Sequence, residues 1–176
     1  PSAPSNNNCA GAVTLPVNTT CSYTSGTTDG ATQSQSGCAG NADDDVWYKF
    51  VAVATTQLVN LVNVSGNAID LYHSVYAGTP SSLGTPIICS DPNLSTLTGL
   101  TVGATYYIRV YTATASTGRN TTFNIFVASP APPPTNVTCA TMQPICSGSP
   151  IAFVAASSGG SAEAGNNYDC LSTTPN

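Results

Sequence analysis

The stretch Ala104–Ala113, ATYYIRVYTA, decides the fold class, because its side chains alternate in character along the chain. One set of alternate positions is large and apolar: Tyr106, Ile108 and Val110. The other set combines aromatic rings with a charge: Tyr107, Arg109 and Tyr111. Successive residues of a β-strand point to opposite faces, so this period of two predicts a strand with one face in a core.

On both sides of this stretch, seven further segments have strand-like lengths and are bounded by Gly, Pro, Asn or Asp. They are rich in β-branched and aromatic residues, whereas strong helix formers are scarce. The further predicted strands are Ala10–Val17, Cys21–Ser25, Val46–Val53, Gln57–Val64, Ile69–Ala77, Pro86–Ser90 and Thr121–Ala128. Eight short strands at this spacing predict an all-β fold, an antiparallel β-sandwich of the jelly-roll type.

The charge composition excludes several classes of function. The 176 residues contain 3 Lys or Arg against 8 Asp or Glu. Three cations cannot neutralise a run of phosphates, so we expect no nucleic-acid partner. No apolar run approaches the roughly 18 residues of a membrane span. One His and one Lys are few groups for acid–base chemistry, and we therefore expect no enzyme activity.

The cysteine content predicts a protein outside the cell or on its surface, because disulfides persist in oxidising compartments. There are 7 cysteines, and all are disulfide candidates: Cys9, Cys21, Cys38, Cys89, Cys139, Cys146 and Cys170. Because the number is odd, at least one must stay free or pair with another chain. The spacing contains no Cys-x-x-Cys, so a zinc site is not expected.

A proline-rich stretch divides the chain. Ser129–Asn136 reads SPAPPPTN, and consecutive prolines favour an extended polyproline segment. We therefore expect an N-terminal arm over residues 1–8, a β-sandwich domain over 9–128, a linker over 129–136 and a separate segment over 137–176.

The segment after the linker repeats the beginning of the chain. Pro4–Ala10 aligns with Pro134–Ala140 at an offset of 130, with four of seven positions identical. Farther along, Cys38 and Cys170 occupy similar positions in the two copies. The repeat mildly favours the pairings Cys9–Cys38 and Cys139–Cys170 and leaves other pairings open.

Residues 137–176 are predicted to be an incomplete second β module. A segment this short with few large apolar side chains cannot build a core of its own. We expect it to dock on another copy of the chain, the run Pro150–Ala156 (PIAFVAA) adding a strand to an exposed sheet edge. The apolar residues expected at that interface are Ile145, Ile151, Phe153 and Val154. Head-to-tail docking produces a filament when the rotation between subunits does not close.

The order of five motifs resembles a family of secreted modules. The motifs are Asn6–Ala10 (NNNCA), Gly30–Thr32 (GAT), Asp44–Phe50 (DDVWYKF), Cys89–Asp91 (CSD) and Gly99–Tyr111 (GLTVGATYYIRVY). Together they resemble the β-sandwich repeats of Bacteroidota surface proteins, which are related in style to pre-peptidase C-terminal domains. The resemblance covers about residues 6–128 and implies a secreted β-sandwich of the kind found in adhesins, filament subunits and accessory modules of hydrolases. Such modules often carry a cysteine shortly before the equivalent of Cys89, where this chain has Thr79-Pro80.

Acidic residues in predicted loops form a candidate calcium site. Asp43, Asp44 and Asp45 precede a predicted strand, and Asp91 lies in another loop. Carboxylate oxygens that converge from loops suit Ca²⁺, the one cofactor that the pattern would accommodate. The alternative is a polar turn at the strand entry, because the spacing matches no recognised calcium loop. His73 alternates with apolar residues and is expected to be structural.

Aromatic residues are expected on an outer sheet face: Trp47, Tyr72, Tyr76, Tyr107 and Tyr111. Aromatic rings are enriched at subunit interfaces, and we expect Trp47, Tyr107 and Tyr111 to contribute to one. A flat array of rings would also stack on sugars. The remaining alternative places half of these rings in the core, while the others shield Arg109 or receive the tail of a partner subunit.

Sequons make five asparagines candidates for glycosylation: Asn18, Asn63, Asn93, Asn120 and Asn136. A chain this rich in Asn, Ser and Thr produces about as many by chance. Taken together, the patterns predict a structural subunit of an extracellular filament or surface appendage, with other copies of the chain as partners and an adhesive role. The alternative is a carbohydrate-binding module of a secreted multidomain protein, with surface glycans as its partners.

Overall fold

The computed structural model describes residues 2–18, 22–114 and 120–129. They form a 3₁₀ turn at Cys9–Gly11 and twelve strands. The strands are β1 (Val13–Thr14), β2 (Val17–Asn18), β3 (Thr24–Thr27), β4 (Asp45–Val51), β5 (Gln57–Gly66), β6 (Leu71–Tyr76), β7 (Gly78–Thr79), β8 (Ser82–Leu83), β9 (Ile88–Ser90), β10 (Leu94–Leu97), β11 (Thr105–Thr112) and β12 (Thr121–Ala128).

Two five-stranded sheets form the sandwich. The first, sheet A, has the order β1-β4-β11-β6-β9, and the second, sheet B, has the order β10-β5-β12-β2 with β3 also beside β12. Most neighbours are antiparallel, but β1 runs parallel to β4 and β2 runs parallel to β12. A small ribbon, β7-β8, completes the described strands. The predicted all-β sandwich is confirmed.

The core between the sheets follows the period-two pattern of the sequence. The members that alternate along the central strands are buried: Val46, Tyr48 and Phe50 on β4, Tyr106, Ile108 and Val110 on β11, and Phe123, Ile125 and Val127 on β12. The rings of Tyr48 and Phe123 meet edge to face across the two sheets, with centroids 6.1 Å apart. Each large apolar side chain buried in this way contributes about 1.5–3 kcal/mol to the free energy of unfolding.

The N-terminal strand differs from the prediction because it changes sheets. Val13–Thr14 pairs with Tyr48 and Lys49 of sheet A, and Val17–Asn18 pairs with Val127 and Ala128 of sheet B. Pro16 lies between the two short strands and has no N–H to donate, so a continuous ladder cannot pass through it. The single strand predicted over Ala10–Val17 is therefore a 3₁₀ turn followed by two two-residue strands.

Three short strands were absent from the prediction. β7, β8 and β10 have two to four residues. Such short strands, flanked by Gly, Pro and Asn, do not show an alternation of apolar and polar side chains. β10 nevertheless forms one edge of sheet B beside the first residues of β5. In the part of the chain that the structure describes, no helix is long and apolar enough to cross a membrane.

The register defines two ends of the sandwich. Val51, the last residue of β4, lies opposite Thr105, the first residue of β11. Ala128, the last residue of β12, lies opposite Leu58 near the start of β5. We call this end, where the chain leaves β12, the exit end.

Candidate functional site

The outer face of sheet A carries the residues that alternate with the core positions. Three central strands contribute side chains in register: Asp45, Trp47 and Lys49 from β4, Tyr107, Arg109 and Tyr111 from β11, and Tyr72, Ser74 and Tyr76 from β6. We call this set the outer face. It is the face on which the sequence predicts a set of aromatic rings.

A buried ion pair lies at the centre of the outer face. Arg109 donates from Nε to Oδ2 of Asp45 at 2.8 Å, and its Nη2 lies 2.5 Å from the same oxygen. Both side chains are 0% exposed. The guanidinium lies 4.7 Å from the ring centroid of Tyr111 and 5.9 Å from that of Trp47. Two opposite charges removed from water in this way depend on each other, because either one alone would be a buried unpaired charge.

Residues 31–44, which we call the cover loop, lie on this ion pair. Arg109 donates from Nη1 to the carbonyl of Ser36 at 2.8 Å and from Nη2 to the carbonyl of Gln35. Oδ2 of Asp45 accepts from the amide and the hydroxyl of Ser34, both at 2.9 Å. The loop has few large apolar residues, so these charge-assisted hydrogen bonds hold its near part against the sheet.

Tyr111 and a disulfide hold the far part of the cover loop. The hydroxyl of Tyr111 donates to the carbonyl of Ala39 at 2.9 Å. Cys38 is bonded to Cys89 of β9, with their Cα atoms 6.0 Å apart. The predicted pairing Cys9–Cys38 is wrong, and Cys9 is a free, buried thiol. The loop carries Cys38 over the outer face towards β9, whereas Cys9 packs against β4, so equivalence in the repeat did not reflect proximity.

A second covering element is Pro4–Ala12, which we call the arm. The amide of Trp47 donates to the carbonyl of Asn6 at 2.8 Å, and Nδ2 of Asn6 donates to the carbonyl of Trp47 at 3.0 Å. Cys9 and Ala12 of the arm pack with Trp47 and Tyr76 in a small apolar cluster. Burial raises the pKa of the Cys9 thiol to about 11, so the thiol stays protonated at neutral pH.

The outer face is therefore not an open platform. Trp47 is 1% exposed, Tyr76 4% and Tyr111 0%, while Tyr72 and Tyr107 are half-buried. With the arm and the cover loop in place, the buried rings of Trp47 and Tyr111 present no exposed surface to sugars or to a partner subunit, and their expected part in a subunit interface stays a prediction. The physical reason is that the arm and the cover loop already occupy the face. Tyr107 keeps part of its surface accessible.

The structure does not bring the four predicted calcium ligands together. Asp45 is paired with Arg109, and Oδ1 of Asp44 accepts from the amide of Thr112 at 3.0 Å and from its hydroxyl at 2.6 Å. Asp43 is half-buried, and Asp91 is exposed after β9. In residues 2–18, 22–114 and 120–129, no group of three or more His, Cys, Asp or Glu is placed to hold a metal ion. These contacts fit the alternative of a polar turn at the strand entry.

His73 lies in the core, where its alternation with apolar residues predicts it to be. Its Nε2 is 2.7 Å from Oγ of Ser95, so the pair joins β6 of sheet A to β10 of sheet B. Burial lowers the pKa of His73 to about 4, and the ring is neutral at pH 7. Both residues are shielded from solvent, which fits a structural bridge and leaves no approach for a substrate.

An apolar patch at the exit end was not predicted. Three valines there are strongly exposed: Val51 at 46%, Val53 at 57% and Val102 at 58%. Their backbones adjoin, because Ala52 donates to the carbonyl of Ala104 and accepts from the amide of Gly103. We call these residues the valine patch. Val51 ends β4, while Val53 and Val102 lie in the connections after β4 and before β11, so alternation along the strands does not show that the three form one exposed patch.

A cavity of about 300 Å³ opens at the seam where β1 of sheet A approaches β3 of sheet B. Hydroxyl and amide groups surround its aromatic and aliphatic parts, and its lining is Ser5, Asn6, Val13, Ser25, Gly26, Thr27 and Tyr48. Burial raises the pKa of Tyr48 to about 12, so its hydroxyl stays protonated at neutral pH.

Three of the five glycosylation candidates have side chains that the structure describes, and all three are accessible to solvent. Asn63, Asn93 and Asn120 are exposed, and Asn63 has φ 53° within β5, a left-handed conformation that Asn tolerates better than most residues. Asn18 lies in β2. The last glycosylation candidate, Asn136, lies outside the described residues. So do the disulfide candidates Cys21, Cys139, Cys146 and Cys170 and the predicted interface residues Ile145, Ile151, Phe153 and Val154.

Comparison with known proteins identifies one family. A family model described as galactose binding domain-like and associated with the T9SS matches residues 5–125. Among solved structures, a periplasmic lysozyme inhibitor of g-type lysozyme from Aeromonas hydrophila is similar, with 17% identity, a TM-score of 0.39 and coverage of 65% of this chain and 96% of that chain. No curated protein matches the chain.

Proposed function

The chain belongs to the T9SS-associated family of galactose-binding-domain-like modules, and on this premise we propose that it is a structural subunit of an extracellular filament or surface appendage. Copies assemble head to tail, with residues 137–176 of one subunit docked on the sandwich of the next. The role is mechanical and adhesive, and the protein catalyses no reaction.

Two properties of the sandwich support a role outside the cytoplasm. The T9SS association of the family and the Cys38–Cys89 disulfide both indicate a non-cytoplasmic location. The disulfide, together with the buried Asp45–Arg109 pair, fastens the cover loop to the sheet at two points. A module fastened in this way suits a subunit that carries load between neighbours.

The observation that carries the proposal is the valine patch at the exit end. Val51, Val53 and Val102 expose apolar surface at the end where Ala128 completes β12. Ser129 is also held there, since Nε2 of Gln57 donates to its hydroxyl at 3.4 Å. In a linear array of modules, successive copies meet at their ends, and exposed apolar surface at that end is the kind of surface that association buries.

Charge substitutions in the valine patch test the proposal. In the full chain, Val53→Asp combined with Val102→Asp is expected to abolish sedimentable fibres, because the contact would bury two carboxylates without partners. Ile69→Asp is the matched control, since Ile69 is 64% exposed and precedes β6 at the opposite end. Fibres that persist in the double variant, or that are lost equally in the control, contradict a contact through the exit end.

Removal of the tail tests the second part of the proposal. A chain that lacks residues 137–176 is expected to keep its β-sheet circular dichroism but remain monomeric in sedimentation velocity. Fibres formed by this truncated chain would refute docking through the tail.

Carbohydrate binding is the second candidate function, favoured by the family description and by the seam cavity. Hydroxyl and amide groups of Asn6, Ser25 and Thr27 around the Tyr48 ring suit a sugar. Galactose titration by calorimetry tests this candidate, with Thr27→Leu to fill the cavity and Thr96→Leu, at the exposed position of β10, as the control. Saturable binding that only Thr27→Leu removes would favour it over the structural role.

A further inference from the structure

The arm and the segment Pro134–Ala140 share a specific subset of residues. Four positions are identical at the offset of 130: Pro4 and Pro134, Asn6 and Asn136, Cys9 and Cys139, and Ala10 and Ala140. Three positions differ: Ser5, Asn7 and Asn8 correspond to Thr135, Val137 and Thr138. The contacts of the arm show what distinguishes the two groups.

The identical positions include the residues by which the arm contacts the sheet. Asn6 is 7% exposed and exchanges two hydrogen bonds with the backbone of Trp47. Cys9 is 8% exposed and packs against the Trp47 ring. Pro4 accepts from the amide of Asn7 at 3.0 Å and so shapes the turn that presents Asn6. Ala10 is exposed and does not contribute to the contact of the arm with the sheet.

The differing positions face elsewhere. Ser5 and Asn8 are exposed, and the side chain of Asn8 makes no capping hydrogen bond to the 3₁₀ turn. Asn7 contacts the cover loop, where its Nδ2 donates to the hydroxyl of Thr32 at 2.9 Å and its Oδ1 accepts from the amide of Thr32 at 2.7 Å. Pro134–Ala140 therefore keeps the groups that bind β4 and lacks the side chain that binds the cover loop.

We infer that Pro134–Ala140 of one molecule binds to β4 of a second copy, in the place of that copy's own arm. This inference rests on the proposed head-to-tail assembly and names the surface that receives the incoming segment. Asn136 takes the two hydrogen bonds to the backbone of Trp47, and Cys139 takes the position beside its ring. The arm is then a removable cover rather than a permanent part of the sandwich.

The exchange keeps the contacts with β4 and gives up the two hydrogen bonds between Asn7 and Thr32, and tethering then decides which segment is bound, as in domain swapping. The arm is covalently attached near its site, at an effective concentration of the order of millimolar. A free molecule at micromolar concentration therefore keeps its own arm. In an assembled array the incoming segment is also held close to the site, and the two segments compete on similar terms.

The match ends at Ala140. A Cβ on Gly11 would lie 2.4 Å from the carbonyl oxygen of Ser5, and the position that corresponds to Gly11 is Thr141. The incoming segment must therefore leave the surface of β4 earlier than the arm does, which frees the residues after Ala140 to contact other parts of the neighbour.

Photocrosslinking in the full chain tests the inference. Val137, which corresponds to Asn7, is replaced by the photoreactive residue benzoylphenylalanine. Fibres are then assembled from a mixture of ¹⁵N-labelled and unlabelled chains of this variant. The expected crosslinks are to residues 31–34 or 46–48, and they join a labelled to an unlabelled chain. Crosslinks to β10 or to the valine patch, or crosslinks only within one chain, would overturn the inference.

Two variants with matched controls separate competition from folding. Asn6→Ala weakens the arm and is expected to raise the yield of the intermolecular crosslink about fivefold, the change that corresponds to one hydrogen bond. Asn136→Ala is expected to lower the yield by a similar factor. Asn8→Ala and Asn167→Ala are the controls and leave it unchanged. Equal yields in all four variants contradict the inference even when every variant folds.

The outcomes also distinguish the inference from the function on which it rests. Fibres whose crosslinks map elsewhere refute the binding of Pro134–Ala140 to β4 and leave the structural role intact. A chain that forms no fibres under any condition refutes both.

Discussion

The core between the sheets and the centre of the outer face of sheet A exclude solvent equally well but by different means. Val46, in the core, is 0% exposed, and its neighbour Trp47, on the outer face, is 1% exposed. The core is mostly apolar on both sides, whereas the outer face is covered by the arm and the cover loop through an ion pair, hydrogen bonds and a disulfide. Burial on the outer face therefore depends on a few specific groups, and single substitutions should expose it selectively.

Breaking the ion pair should have the largest effect. Asp45→Asn leaves Arg109 as a buried unpaired charge and should lower the free energy of unfolding by about 3–5 kcal/mol. Urea denaturation followed by the fluorescence of Trp47 measures the change. Asp91→Asn, at an exposed carboxylate, should stay within about 0.5 kcal/mol of the parent. A loss below about 1 kcal/mol in Asp45→Asn would mean that the outer face does not depend on this pair.

Removing the disulfide should have the next largest effect. The bond closes a loop with a sequence separation of 51 residues, and the paired variant Cys38→Ser with Cys89→Ser should lose about 2–4 kcal/mol. Because Cys38 lies in the cover loop, iodide should quench Trp47 more strongly in the folded variant. Unchanged quenching would show that the ion pair alone keeps the loop in place.

Acid should weaken the core through His73. The pKa is about 4 in the folded protein and about 6.5 when unfolded, so the unfolded state binds more protons between these values. Stability is full above about pH 6.5 and falls as the pH decreases to about 4, by up to about 3 kcal/mol. His73→Gln should remove this dependence of the free energy of unfolding on pH, which urea denaturation at a series of pH values measures. Parallel curves for the two proteins would contradict the assignment.

The arm should contribute the smallest of these effects. Asn6→Ala removes the side-chain hydrogen bond to the carbonyl of Trp47 and should cost about 1–2 kcal/mol. Asn8→Ala, whose side chain is exposed, should cost almost nothing. Alkylation of Cys9 reports the same difference, since loosening the arm should speed its reaction. Equal alkylation rates in both variants would mean that the arm does not gate access to Cys9.

The sequence predicts the core better than the outer face, for a physical reason. Alternation along β11 and β12 identifies core residues because both sheets bury the same face throughout. The outer face is covered by loops, and the contacts of a loop with a sheet leave no periodic pattern. One signal was present: Arg109 alternates with aromatic residues inside a strand, and a cation in that position requires a buried partner. Neither the partner Asp45 nor the bond from Cys38 to Cys89 follows from spacing alone.

Electron microscopy of the purified full chain tests the proposed assembly most directly. We expect fibres in which sandwich-sized subunits repeat along the axis, with the valine patch of each subunit at a junction with the next. Separate particles the size of one sandwich, at every concentration and salt condition tried, would contradict the proposed role.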